Sequence, residues 1–335
     1  MKARCLTAAV LATTLGATSA VAGSSQDGFR WLSENDEILR EGIIWNDRIG
    51  DGRDRYKSGG ATQSWVVPEG RLIDGRFIEG RASYLELQAR ALVMTPDNVT
   101  IGGVAGDRPF AQYASLGAFL RSYDRPVEDG RMTTRAVEDR IGIEVGLLGD
   151  PLPLFEIQEM IHNNGGFQLN NMRVLDTEVL VNVEGRRTMR WHMQLNDTDL
   201  EFAPYVSGSA GMRENSVRVG GDVIYGSSLE GRTWNIDPGI GALIPGGSKP
   251  RSGANWMMWV GGDVGAVATD AFLDGGFSRD GVSVPREELV ARVRVGFMFE
   301  YENVALGYSM TWLSEEFEDQ SHSQVIGAVS LKYRF

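Results

Sequence analysis

The chain has 335 residues, a formal net charge of -12 at pH 7, 42 glycines, eight tryptophans and a single cysteine. The acidic balance argues against general nucleic-acid binding. No run of eighteen apolar residues occurs, which excludes a helical membrane protein. Two classes remain: a soluble secreted β-protein, or a membrane β-barrel, whose alternating staves carry a much weaker hydropathy signal.

The amino terminus reads as a secretory signal over residues 1–22. Lys2 and Arg4 give a charged start, Leu6 to Ala17 is a short apolar run, and Ala20-Val21-Ala22 is a small-x-small cleavage site. The run is too short to span a bilayer. The mature chain is expected to begin at Gly23. Cys5 lies inside the signal, so disulfide and thiol chemistry are not expected in the mature protein.

From Gly23 to Phe335 no linker, low-complexity stretch or repeat divides the chain, and one domain is expected. Strand patterns of period two recur along it. Leu85, Leu87, Ala89, Ala91 and Val93 alternate with Glu86, Gln88, Arg90 and Leu92. Ile141, Ile143, Val145 and Leu147 alternate with Gly142, Glu144 and Gly146. Val293, Val295, Phe297 and Phe299 alternate with Arg292, Arg294, Gly296 and Met298. An arginine facing lipid at mid-depth costs about 2–4 kcal/mol, so Arg292 and Arg294 are expected in the lumen. The last segment, Gln324 to Phe335, is apolar on one side, carries Lys332 and Arg334 on the other, and stops on an aromatic, as a barrel stave does.

Twelve strands are predicted, near residues 37–46, 58–67, 83–94, 111–122, 137–148, 173–194, 199–212, 216–227, 254–267, 287–301, 303–316 and 323–335. The sixth is long enough to be a hairpin broken at Glu184-Gly185. The Gly- and Pro-rich stretch from Ser228 to Gly253 would be a long periplasmic connection, where short turns are the norm. One segment breaks the β pattern: Phe155, Gln158, Glu159 and His162 have helical spacing, and Asn163-Asn164-Gly165-Gly166 would stop the helix. A short helix is predicted from about Leu154 to Asn163.

The fold expected is therefore an antiparallel transmembrane barrel in the bacterial outer membrane. An even strand count puts both termini in the periplasm and the loops after odd strands at the outer rim. Three polar clusters then meet there: Asn46 to Ser58, Gly106 to Phe110, and the helix with Gln158 and His162. An imidazole, with an unperturbed pKa of about 6.5, can take a proton from water or a hydroxyl at neutral pH. Asn46, Asp47, Asp51 and Asp54 offer oxygens suited to a hard cation such as calcium, although the spacing is not that of an EF-hand. A solvated Asp-Gly turn explains the same residues. Arg48, Arg53, Arg55, Lys57 and Arg108 could hold lipid phosphates, or could pair with nearby carboxylates.

Four segments in order resemble the outer-membrane lipid A 3'-O-deacylase family: WNDRIGDGRDRYKSGG, GDRPFAQYASLGAF, GLLGDPLPLFEIQEMIH and WLSEEFEDQSHSQVIGAVSLKYRF. The similarity covers essentially the whole mature chain. It implies a twelve-stranded barrel that acts on lipid A or lipopolysaccharide of the outer leaflet, with calcium as cofactor. By motif, His162 would be the general base. Asn46 and Asp47 would bind the ester oxyanion or the calcium. Ser58 stands where the family usually has threonine. The chain departs from the pattern at Gly149-Asp150-Pro151 and after Thr95-Pro96, where Asp97-Asn98 replaces an expected basic residue.

The implied reaction is ester hydrolysis. Either a water activated by His162 attacks the acyl carbonyl, or Ser58 does, with His162 as its base; the sequence supports both. An outer-membrane phospholipase and a non-catalytic barrel are the alternative readings.

Overall fold

In a computed structural model, residues 39–53, 55–67, 81–97, 106–124, 133–149, 152, 154, 174–227, 229, 232, 234–245, 253–279 and 281–334 are described. The predicted signal segment, Asp54 and the predicted helix after Leu154, with Gln158 and His162, lie outside them.

Twelve antiparallel strands close into a barrel. They are β1 (Leu39–Asn46), β2 (Tyr56–Val67), β3 (Arg81–Thr95), β4 (Ala111–Asp124), β5 (Thr133–Leu148), β6 (Glu178–Leu195), β7 (Thr198–Gly211) and β8 (Glu214–Gly226), then β11 (Ala254–Asp270), β12 (Leu289–Tyr301), β13 (Val304–Leu313) and β14 (Gln324–Arg334). The short β9 (Trp234–Ile236) and β10 (Leu243–Pro245) form a separate two-stranded sheet. Closure pairs β1 with β14, from Leu39↔Arg334 to Asn46↔Gly327. Alternation decides facing as the sequence pattern required. Arg292 and Arg294 are buried in the lumen, while Val293, Val295, Phe297 and Phe299 are exposed on the opposite face. In β14, Ile326, Ala328 and Lys332 turn inward.

β6 is one continuous strand. Glu184 pairs with Gly142 on one side and Ser209 on the other, so Glu184-Gly185 makes no hairpin. Its ladder with β7 skips two pairs, opposite Ala203 and Pro204, and Pro204 has no N–H to donate.

Both described chain ends share one rim with the two-residue turns Asn196-Asp197 and Glu302-Asn303, where Asn196 and Glu302 take positive φ. Short turns mark the periplasmic side. Outward aromatics gather above them: Trp191 stacks on Phe202 at 5.5 Å, and Tyr225 meets Trp256 edge-on at 5.5 Å. This fits an interfacial girdle. The opposite rim carries six outer loops, at residues 47–55, 96–110, 149–177, 212–213, 271–288 and 314–323.

The segment between β8 and β11 corrects the expectation of a periplasmic connection. It turns back into the lumen as a plug. Asp237 accepts from Thr62 of the wall at 2.6 Å, Asn235 donates to Glu86 at 3.1 Å, and Trp234 Nε1 donates to Glu201 at 2.6 Å. The backbone oxygen of Pro238 accepts from Arg292 at 3.1 Å, and that of Gly241 from Arg294 at 3.1 Å. Gly241 needs its positive φ (+73°), and a Cβ there would strike Arg292. Leu229, Trp234 and Leu243 pack with Ile224, Met257, Trp259 and Met298 toward the periplasmic end. Ile240, Ala242 and Ile244 join Trp45, Leu92, Tyr113, Leu175 and Phe272 under the outer rim. The lumen is thus filled by a plug set in buried ion pairs. A segment whose backbone groups can be satisfied by wall arginines and carboxylates does not have to stay in water.

Candidate functional site at the outer rim

The first outer loop leaves β1 at Asn46. Ile43 and Trp45 point into the lumen core, so Asn46 lies on the opposite, lipid-facing side with Ile44 and Gly42. It caps the 3-10 turn Asp47–Ile49: its Oδ1 accepts from Arg48 N at 2.8 Å. Its Nδ2 donates to the backbone oxygen of Ser58. The turn then lies against the outside of the wall. Tyr308 Oη donates to Ile49 O at 2.8 Å, and Ile49 sits so close to Gly327 that no Cβ would fit there.

Ser58 is the extra residue of a β-bulge in β2, between the pairs Lys57↔Met94 and Gly59↔Val93. A bulge re-aims side chains at a strand end. Here it sends Lys57 inward and brings the Ser58 hydroxyl to Thr95 Oγ1 at 2.5 Å, both groups buried. Asn46, Ser58 and Thr95 thereby converge from the ends of three adjacent strands. Asp47, next to Asn46, is fully buried and serves the loop: its Oδ2 accepts from Arg55 N at 2.6 Å, and its backbone oxygen accepts from Gly50 N at 2.8 Å. Asn46 and Asp47 therefore face different surroundings.

The basic residues divide into two groups. Lys57 and Arg108 are buried on one carboxylate, Glu316 of the sixth outer loop: Lys57 Nζ donates to Oε1, and Arg108 Nη1 donates to Oε2 at 3.4 Å. Arg108 also donates to Met94 Sδ at 2.7 Å. Arg55 lies 3.3 Å from Asp51 and 3.7 Å from Asp97, and donates to Ser323 O at 3.1 Å. Arg48 and Arg53 are exposed. Burial opposes the charge on Glu316, but Lys57 and Arg108 outweigh it and hold its pKa below the ordinary glutamate value. Asp107 is shifted the other way, up, by burial and by the nearby Asp97 charge, against the N–H groups of Asp97 and Arg108 that it accepts.

Glu316 was not singled out from the sequence, although the signal was present. It sits inside the Ser-x-x-Phe-x-x-Gln segment Ser314–Gln320. Gln320 accepts its N–H at 2.8 Å, and Phe317 packs edge-on against Tyr56 at 5.6 Å. The motif residues hold Glu316 where two cations need it. Thr95 was seen only as part of a Thr-Pro pair.

Among the described residues, no group of three or more His, Cys, Asp or Glu side chains converges as a metal cage. Asp47 alone is a weak basis for calcium, which takes six to eight oxygens. His192 faces Asp199 near the periplasmic end, 3.5 Å away, and His322 is exposed in the sixth loop.

A family model described as outer membrane protein LpxR matches residues 6–335. Among solved structures, LpxR from Salmonella typhimurium is similar at 18% identity, covering 89% of this chain and 100% of that chain, with a TM-score of 0.70. The translocator domain of the autotransporter NalP from Neisseria meningitidis (9% identity, 99% of this chain and 98% of that one) has a TM-score of 0.41. The β domain of the Bordetella autotransporter BrkA (10% identity, 89% and 99%) has a TM-score of 0.43. No curated protein sequence matches the chain. With the family match spanning nearly the whole chain and the closed twelve-stranded barrel, the chain belongs to the outer membrane protein LpxR family.

Proposed function

We propose that the protein is an outer-membrane esterase that removes an acyl chain from lipid A. The supporting observation is the pairing of Asn46 with the bulged Ser58 on the lipid-facing side of the outer rim. Polar groups gathered there meet a substrate that stays in the outer leaflet, with its ester at the depth of the rim. A substrate that had to enter the lumen would instead meet the plug.

In this reading His162, carried by the third outer loop, is the general base. It takes the proton from a water, or from Ser58, as the oxygen attacks the acyl carbonyl. The Asn46 amide donates to the oxyanion, and loss of such a donor typically costs about 10²–10³ in rate. Arg48 and Arg53 are the cations of the first loop exposed to solvent, suited to lipid phosphates. Arg55, Lys57 and Arg108 support the substrate side from behind, through their carboxylates. Calcium enters from the family resemblance. It would act as a Lewis acid with Asp47 among its ligands.

Mass spectrometry of lipid A from expressing cells tests the reading. Loss of one acyl chain that disappears in His162→Ala cells is expected. Acyl loss that persists in that variant refutes the base. Loss from glycerophospholipid alone identifies a phospholipase. Intact lipids with calcium present leave a non-catalytic barrel. Residues 1–22 are taken as a cleaved signal, so amino-terminal sequencing should begin at Gly23.

A further inference from the structure

Beside the plug, inside the barrel, lies a cavity of about 60 Å³ that the proposed reaction does not use. Five guanidinium groups line it, from Arg140, Arg186, Arg213, Arg218 and Arg292, against two carboxylates, Glu184 and Glu214. Tyr205, Ser207, Ser209 and Ser216 complete the wall, and Ile236 and Pro238 of the plug close one side.

The charges around it are unevenly compensated. Arg213 is met by Glu184 at 2.8 Å and Glu214 at 3.1 Å, and Arg292 by Asp263 at 2.9 Å. Arg186 is different. Its close acceptors are neutral, the Trp234 oxygen at 2.8 Å and Asn235 Oδ1 at 3.4 Å, and its carboxylate contact is with Glu138 at 3.8 Å. Arg218 is met by Asp263 at 3.2 Å. Arg140 donates Nε to Glu86 at 2.8 Å, lies 3.5 Å from Glu184 through Nη1 and lays its plane over Phe119 at 3.4 Å, and its Nη2 is buried with no hydrogen-bond partner among the described residues. Arg140 is 6% exposed. A buried guanidinium donor left unmade is costly, and such a group in a folded protein calls for a water or an ion.

Water would fill the space but leave Arg186 with no carboxylate closer than 3.8 Å, whereas an anion would both fill it and pair with that guanidinium. Each ordered water needs about 10–15 Å³ by this measure, so the space holds four to six of them, the scale of one tetrahedral oxyanion with little to spare.

We propose that this cavity binds a small inorganic oxyanion of the phosphate or sulfate class. Arg186 and Arg218 are its principal donors, and Arg140 and Ser207 complete the set. Its place inside the lumen against the plug selects a free ion over a lipid headgroup, whose acyl chains could not follow. Because Ile236 and Pro238 form part of the wall, the bound ion would also help to seat the plug.

The test uses the whole refolded barrel in zwitterionic detergent. Its melting temperature is followed against inorganic phosphate, with sodium chloride replacing it at constant ionic strength. A saturable rise of about 2–4 °C is expected. Arg186→Met should abolish the rise, while Lys332→Met, whose lysine faces Glu300 elsewhere in the lumen, should keep it. If Arg186→Met does not fold, Arg218→Gln takes its place. Crystals soaked in selenate should show an anomalous peak between Arg140 and Arg186. An equal rise in chloride, a rise that survives in the arginine variants, or no peak at saturating selenate would each overturn the proposal.

Discussion

Glu316→Gln is the substitution that should damage the outer rim most for the smallest change in shape. The carboxylate neutralises two cations at once, Lys57 and Arg108, whose side chains are 9% and 1% exposed. Glutamine keeps the volume and one acceptor but removes the charge. Breaking a buried pair by removing one partner costs about 3–5 kcal/mol, because the remaining charge stays buried. Glu316 itself is 18% exposed, which places the expected loss toward the lower end of that range. Unfolding in urea, followed by tryptophan fluorescence and by the folded-to-unfolded gel shift, reads this directly. Lys57→Met combined with Glu316→Gln should lose less than Glu316→Gln alone, since one orphaned cation is then gone. A loss under about 1 kcal/mol, the worth of an exposed ion pair, would show that the rim is hydrated and the argument wrong. The pH dependence follows from the same group. The folded pKa of Glu316 lies below its ordinary value of about 4.3, so its stabilisation is fully present above that value. It is lost as the pH falls through the folded pKa. Wild type should therefore lose more stability on acidification than Glu316→Gln does. Asp107, with its pKa raised, gives the opposite slope and offsets part of the loss.

Three further outcomes are expected. Asn46→Ala removes a helix-turn cap and the Ser58 contact, so about 1 kcal/mol of stability should go, with about 10²–10³ of lipid A deacylation; unchanged acyl loss in mass spectra would remove Asn46 from the mechanism. Asp237→Ala deprives the plug of an acceptor for Thr62 Oγ1, Gly239 N and Ile240 N, and should cost about 3 kcal/mol in the same urea assay. Replacing residues 229–253 by a short turn between β8 and β11 should convert an electrically silent barrel into an ion-conducting one in planar bilayers; a silent excised variant would mean that the wall side chains close the lumen unaided.

Much of the barrel could be read locally because each stave declares its facing in its own residues. The Val293–Phe299 set against Arg292 and Arg294 is enough to orient β12, since an arginine in lipid is not tolerated. The plug could not be read that way. Its residues have no period, and what draws Asp237 and Asn235 inward is a set of partners, Thr62 and Glu86, that are 175 and 149 residues away. For the candidate site, the Asn46 and Ser58 positions were legible as motif residues. Their sharing of one outward corner depends on the bulge at Ser58, which shifts the register by one residue and leaves no mark in composition.

By itself, then, the amino-acid order determined a period-two barrel of twelve staves and its sidedness, because alternation and turn length act within a few residues. Only the tertiary structure decided that the lumen is filled from below, that Glu316 gathers Lys57 across 259 residues and Arg108 across 208, and that five arginines enclose one cavity. Those outcomes depend on which side chains barrel closure brings face to face, and charge pairing between distant staves has no local signature.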